Sequence, residues 1–452
     1  MEEMKVTLVY PCVRNGKEWG SLGESFSSLF VNHGLASLSA CLKREGFTVD
    51  LIDYRELAGW REVEKRLAEN VSDAYGIHMP TLDYYYAVKT GNLIKRYHPN
   101  ALVAVGGPHP SITPETVAEN RCFDYVVVGE GEQTFPQLLK NPTQFKRVVH
   151  AEHPDVNMLP IEDRELFNMK KILHSNAGFS GNKVFKHPFI NVISGRGCVY
   201  RCGFCKPGED LIFGKFRMRS LTNFITEIAW LNKRYNFQTL MIDDDSFTLN
   251  KKYLEDFAEW YKNNIGKPFI CQTRADFVAE NPDLVKKLKD AGLMMFFIGF
   301  ESGSQRILDL MRKDTTVEQN FKAAETCKQL GIRVWANFMV GLPTETKQEM
   351  KATFNMIRKI KPEHPSGAFF TPIIGTELYN YCKQHDLLLI DDPAVLGARN
   401  PADPVIKGLD YSWMRKQMRS VTVPLWKRLA YPPYRYFKKT VRKVKPQLRV
   451  DV

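Results

Sequence analysis

Residues 198–205 read CVYRCGFC, with Cys198, Cys202 and Cys205 separated by three residues and then by two. That spacing is one ligand short: a closed structural zinc site takes four ligands, and an ordinary cubane cluster takes four cysteines. The nearest cysteines on either side are Cys122 and Cys271, too far along the chain to belong to the same loop. Three thiolates on one tight loop can hold three irons of a 4Fe–4S cubane and leave the fourth iron open. A partial zinc knuckle is the competing reading. Gly195, Gly197 and Gly203 let the backbone wrap closely around an inorganic core, and thiolates are the soft ligands that iron–sulfur chemistry uses. The apolar run FINVIS, residues 189–194, places the loop directly after a strand, where barrel folds carry their catalytic groups.

Downstream of this loop, apolar runs alternate with helical patterns. Strands are expected at TLMIDDD, PFICQTR, MMFFIGFE, RVWANFMVG and GAFFTPI, and helices at 222–236, 251–264, 282–291, 316–330 and 347–360. Six βα units predict a partial barrel over 189–385. Upstream, VTLVYP, TVDLIDY, AYGIHM, ALVAVGG and YVVVGEGE read as buried parallel strands, with helices between them. Five such strands over 1–140 predict an α/β, doubly wound, Rossmann-like sheet, whose ligands sit beyond the strand carboxyl ends. Residues 141–188, rich in proline and glycine without sustained periodicity, read as a linker draped over the barrel.

The 452 residues carry a net charge of +12, placed unevenly. Twelve Lys or Arg and one acid, Asp451, lie between Arg415 and Val452, which leaves 51 basic and 50 acidic residues elsewhere. The basic segment is interleaved with Trp426, Tyr431, Tyr434, Tyr436 and Phe437, a pattern suited to an anionic membrane surface or an acidic partner; nothing else favours nucleic acid. A solvated terminal element closing the barrel is the plainer alternative. No run of about eighteen apolar residues occurs, and the acidic, strand-like start MEEMKVTLVYP is not a secretory signal. Nine cysteines without a disulfide-like pattern imply thiols and metal ligation in a reducing, anaerobic cytoplasm. Cys12, Cys41, Cys122, Cys271, Cys327 and Cys382 show no second cluster spacing.

The loop and the strands after it resemble the radical SAM enzymes. MIDDDSFTLN, CQTRADFV, FFIGFESGSQRIL, FMVGLPTET and FFTPIIGTELY are similar to that family's second to sixth strands, with Ile373-Ile374-Gly375 a small departure in the last. The resemblance implies that Cys198, Cys202 and Cys205 hold a 4Fe–4S cluster whose open iron is chelated by S-adenosyl-L-methionine (SAM), and that Phe204 is the usual aromatic residue between the last two cysteines. It implies Asp244 as acceptor for the SAM amino group, since three consecutive acids cannot all face one side. Arg274 would fork onto the SAM carboxylate, Glu301 accept from the ribose, and Val340, Gly341 and Leu342 admit the adenine. A structural ion pair is the alternative for Arg274 and for Glu301.

The first domain resembles the cobalamin-binding domain that precedes many of these enzymes, through GLASLSACLKREGFTVDLID, VAVGGPHPSITPE and DYVVVGEGEQTFPQLL. A dinucleotide site is disfavoured, because CVRNGKEWG follows the first strand where a G-x-G-x-x-G turn should stand. The resemblance implies corrin or nucleotide-tail contacts from Gly106, Gly107, His109, Pro110, Gly129, Glu130 and Gly131. An Asp-x-His-x-x-Gly motif is absent: His33 precedes Gly34, but position 31 is Val. The lower face of cobalt is therefore open or covered by another side chain, with His78 a candidate and Met79 or Leu82 alternatives. His78 also reads as an ordinary histidine at a strand end.

Together these resemblances imply a class B radical SAM methyltransferase, cytoplasmic and able to meet a membrane surface, that methylates an unactivated, sp3 carbon. The substrate would be a peptide or protein side chain, such as a glutamine of methyl-coenzyme M reductase, or a lipid, and the reductant a flavodoxin or ferredoxin. Two alternatives stand beside it: a cobalamin-dependent enzyme that cyclises or oxidises without methyl transfer, and a non-enzymatic cobalamin or iron–sulfur sensor.

Overall fold

The computed structural model describes residues 4–12, 30–177, 186–205, 212–245, 247–393, 395–396, 401 and 403–423. Trp426 and the rest of the basic aromatic segment from residue 424 onward lie outside the described residues.

The chain forms two parallel sheets. The first contains β1 (Lys5–Tyr10), β2 (Thr48–Asp53), β3 (Ala74–His78), β4 (Leu102–Gly106), β5 (Tyr125–Val128) and β6 (Val148–His150), in the order β2-β1-β3-β4-β5-β6. Its central strands are almost wholly apolar and buried, as a sheet covered by helices on both faces requires. The order reverses between β1 and β3, and doubly wound sheets bind ligands outside the carboxyl ends at that switch point. Five strands were expected. The sixth, β6, comes from the stretch read as a linker, and its three residues are too short to show a period. The same stretch also holds the helix Met169–Ala177.

The second sheet contains β7 (Phe189–Val192), β10 (Thr239–Ile242), β11 (Phe269–Arg274), β12 (Leu293–Glu301), β13 (Arg333–Val340) and β14 (His364–Phe369). All pairs are parallel and run in chain order, the arrangement of an open half-barrel with helices on its outer face. A short antiparallel ribbon, β8 (Gly195–Arg196) with β9 (Arg217–Met218), stands beside the first strand. Capping boxes fix the starts of two outer helices: Thr316 with Gln319, and Thr346 with Glu349.

Both edges of the half-barrel are covered. At β7, the Asn191 side chain accepts from the Val31 N–H at 3.3 Å and donates to the Val31 carbonyl at 3.1 Å. A segment of the first domain thereby lies along the strand. At β14, the helix Tyr411–Thr422 packs so closely that a Cβ on Gly367 would stand 2.0 Å from the Met418 sulfur. Covering an edge removes unpaired backbone groups that would otherwise recruit another strand. Buried apolar residues run without a break from Leu8 and Leu35 of the first domain to Ile190, Phe224 and Phe338 of the second.

Candidate functional site: the cysteine loop and the cobalamin face

After β8, Gly197 takes φ +82° and the chain turns into the cysteine loop. Within it the Cys205 N–H donates to the Cys202 carbonyl at 3.0 Å. Two bonds anchor the loop from outside: Gly203 N–H to the Met311 carbonyl at 2.8 Å, and Leu378 N–H to the Gly203 carbonyl at 2.9 Å. Phe204 packs against the apolar cluster of Met311, Leu342, Phe370 and Leu378. None of the nine cysteines is in a disulfide; Cys198 and Cys202 are half-buried and Cys205 is exposed.

Among the described residues, no three His, Cys, Asp or Glu side chains converge on a point where one ion could sit. A cubane does not need that convergence, because each thiolate binds a different iron. Three reduced, soft donors on one anchored loop fit such a cluster. Burial raises the Cys202 thiol, and the nearby charges of Lys313 and Arg274 oppose the rise, favouring the thiolate that a metal requires.

Those two cations are themselves fixed. Lys313 Nζ lies 3.1 Å from Glu301 Oε1, and both side chains are buried. Burial works against the Lys313 ammonium, but Glu301 and Cys202 outweigh it and its pKa stands above the ordinary value. The Arg274 guanidinium lies 3.7 Å from the Tyr200 ring centroid, forks onto Asp276 at 3.0 to 3.1 Å and donates to the Lys313 carbonyl at 2.6 Å. Arg274 thus pairs with Asp276, and Glu301 with Lys313. Glu301 occupies φ +57° at an irregularity in the β12–β13 pairing, a local distortion that re-aims a side chain.

Asp244 follows β10 and is buried, with Asp243 half-buried and Asp245 exposed. Its carboxylate accepts from the Ser194 N–H and from the Ser194 hydroxyl, each at 2.7 Å. Burial raises its pKa to about 6 against the pull of these bonds. Gly341 has φ +87°, a conformation that favours glycine, and a Cβ there would stand 2.5 Å from the Met414 terminal methyl. The Gly341 and Leu342 N–H groups donate to Glu345 Oε2 at 2.5 and 3.0 Å. Burial raises Glu345 to about 7 against those two bonds. Val340 and Leu342 are fully buried.

On the first sheet, Tyr10 ends β1 and His78 ends β3, with their rings 5.6 Å apart at the switch point. Asn32 Nδ2 lies 3.4 Å from His78 Nε2. Gly107 has φ +108°, and a Cβ there would stand 2.9 Å from His78 Nδ1, so this approach admits only glycine. Gly106 and Gly131 are not crowded in this way. Burial lowers His78 and His109 to about 4 each, leaving both imidazoles neutral near pH 7. His109 and Pro110 are buried, and His109 Nδ1 has no hydrogen-bond partner among the described residues. A buried nitrogen without such a partner, on the side of the sheet's carboxyl ends, fits a polar ligand such as the corrin periphery or its nucleotide tail. Met79 belongs to the core of the first domain, and Leu82 is half-buried. His33 pairs with Glu162 at 2.9 Å, with Asn191 on its other nitrogen.

Gly129 has φ +88°, and its N–H donates to Ser111 Oγ. Glu130 is the centre of a charged cluster. Arg196 Nη1 lies 2.5 Å from its Oε1, His153 Nδ1 lies 2.9 Å from Oε2, and Arg217 pairs with the same oxygen. Glu132 joins at 2.7 Å from Arg196 Nη1. Glu132, Arg196, Arg217, Lys313, Tyr200 and Asp276 were not singled out from the sequence. The signal for two of them was present: a lone cation in Gly195-Arg196-Gly197 and paired acids in Gly129-Glu130-Gly131-Glu132 each call for a partner of opposite sign.

Comparison with known proteins agrees with this geometry. Residues 192–357 match the radical SAM superfamily and residues 22–139 the B12 binding domain. An uncharacterized methyltransferase of Pyrococcus horikoshii is 31% identical over 412 residues, covering 86% of this chain and 85% of that protein. The anaerobic magnesium-protoporphyrin IX monomethyl ester cyclase of Rubrivivax gelatinosus is 25% identical over 399 residues, covering 83% and 69%. Among solved structures, the cobalamin-dependent SAM radical enzyme OxsB, with aqua-cobalamin and SAM bound, superposes with a TM-score of 0.70 at 19% identity over 89% of this chain. This chain spans 65% of the length of that one. The radical SAM methyltransferase TsrM from Kitasatospora setae gives a TM-score of 0.69 at 16% identity, covering 93% and 89%.

Proposed function

Because this chain belongs to the cobalamin-dependent radical SAM methyltransferases, we propose that it methylates an unactivated, sp3 carbon of a peptide or protein side chain, such as a glutamine of methyl-coenzyme M reductase. One observation carries the reading. The Glu130 carboxylate, at the end of β5, meets Arg196, two residues ahead of Cys198, so the loops given to cobalamin and to the cluster face one another. A radical source and a methyl donor at one site are what methylation of an inert carbon needs.

When bound, the cluster with SAM supplies a carbon-centred radical and cobalamin supplies a methyl group. The protein holds and shields these groups. Cys198, Cys202 and Cys205 ligate iron; Lys313 and Arg274 favour the thiolate at Cys202; Phe204 keeps solvent from one side of the loop. Asp244, Arg274, Glu301, Val340, Gly341 and Leu342 are assigned to SAM. Gly106, Gly107, His109, Pro110, Gly129, Glu130 and Gly131 are assigned to the corrin or its tail, and His78 to the lower face. A flavodoxin or ferredoxin delivers the electron. The basic aromatic C-terminal segment supports an acidic protein surface as substrate carrier, with an anionic membrane the alternative contact.

The test is anaerobic turnover of the reconstituted protein with a glutamine-containing peptide of the target. Methylation adds the mass of one CH₂ and yields both S-adenosylhomocysteine and 5′-deoxyadenosine. A second reading, cyclisation or oxidation without methyl transfer, is favoured by the likeness to the magnesium-protoporphyrin cyclase. It yields 5′-deoxyadenosine without S-adenosylhomocysteine.

A further inference from the structure

The network around Glu130 joins the two halves of the molecule through charges that are almost dry. The Glu130, Glu132 and Arg196 side chains are 3, 5 and 12% exposed, and Arg217 completes a set of two anions and two cations. Arg196 also donates to Ser37 Oγ at 3.1 Å on the first helix of the N-terminal domain, and Arg217 donates to the Pro154 carbonyl at 2.7 Å. Buried ion sets are a poor way to gain stability, because apolar packing of the same volume serves as well or better. What they provide is fixed, directional geometry: a planar guanidinium accepts only a narrow range of carboxylate positions.

The position of this set is the informative part. On one side, Glu130 follows Gly129, whose N–H donates to Ser111 Oγ at 2.9 Å; that hydroxyl donates in turn to the Gly107 carbonyl at 2.9 Å. Gly107 is the residue pressed against His78. On the other side, Arg196 is separated from Cys198 only by Gly197. An unbroken line of bonds therefore runs from the glycine turn assigned to cobalamin to the first cluster cysteine.

We propose that Glu130, with Glu132, is a positioning residue: by clamping Arg196 it sets the separation and orientation of the cluster loop relative to the corrin face. The inference rests on the assignment of the two cofactors to these loops. Reaction between groups held on separate domains depends on that separation, and a displacement of about 1 Å costs on the order of a hundredfold in rate.

The test needs no substrate. The full chain, loaded anaerobically with cluster and cobalamin and reduced so that both cob(II)alamin and the cluster are paramagnetic, is read by electron paramagnetic resonance for the magnetic coupling between them. The wild-type chain is expected to show one well-defined splitting, and Glu130→Gln to lose it to a broadened distribution. Should Glu130→Gln not fold, Glu132→Gln, which leaves Arg196 on Glu130, is expected to broaden the splitting without abolishing it. A clasp that served stability alone would lower the unfolding midpoint and leave the splitting unchanged, and that result overturns the proposal. Absence of either cofactor signal in the wild-type chain overturns the cofactor assignment as well.

Discussion

The Asp244 carboxylate closes a ring with one residue: both the N–H and the hydroxyl of Ser194 donate to it at 2.7 Å. The first two strands of the half-barrel are tied together at their carboxyl ends, four residues before Cys198. Burial nevertheless raises Asp244 from 3.8 to about 6. Between those values the folded chain holds a proton that the unfolded chain has released, so this group's contribution falls as pH rises through about 6. The shift corresponds to on the order of 3 kcal/mol. The stability of Asp244→Asn relative to wild type should therefore increase from about pH 4 to pH 7, read as urea midpoints of the cofactor-free chain. A difference that is flat with pH would contradict the assignment of the shift.

Lys313 and Glu301 form a buried pair close to Cys202. Lys313→Met leaves the Glu301 carboxylate buried and uncompensated, which costs about 3–5 kcal/mol. Replacing both, as Lys313→Met with Glu301→Gln, should cost less than the lysine change alone. A double-mutant cycle in urea checks this; additive losses would show that the two do not interact.

The overall architecture was legible because both sheets are parallel and their strands are continuous apolar runs, so VTLVY, LVAVG and FFIGF identify themselves. The three-residue β6 and the two-residue ribbon β8–β9 were not, since neither is long enough to show a period. The place of the cysteine loop just after the first barrel strand was legible from the apolar run before it. Arg274, Glu301 and Glu130 were legible as charged residues at strand ends, but not in their partners. Asp276 stands only two residues from Arg274, whereas Lys313 and Arg196 are brought to Glu301 and Glu130 by the folding of the chain. Gly341 illustrates the same limit. In the sequence it reads only as a place for adenine, while the φ of +87° that favours glycine there shows only in the fold.

Gly107→Ala places a methyl group 2.9 Å from His78 Nδ1 at φ +108°. The strain costs about 1–3 kcal/mol, and the added methyl presses on the His78 ring at the end of β3. Cobalamin retention after gel filtration, followed by visible absorbance, should drop sharply, while the 4Fe–4S absorbance of the reconstituted protein persists. Equal loss of both cofactors would indicate a global defect instead.

The central claim is that Cys198, Cys202 and Cys205 hold a cubane whose open iron takes SAM. Its most direct measurement is electron paramagnetic resonance of the anaerobically reconstituted, reduced chain, recorded with and without SAM. The account predicts a 4Fe–4S signal that changes on adding SAM and is absent in Cys202→Ala. No cluster signal, or one indifferent to SAM, would contradict it.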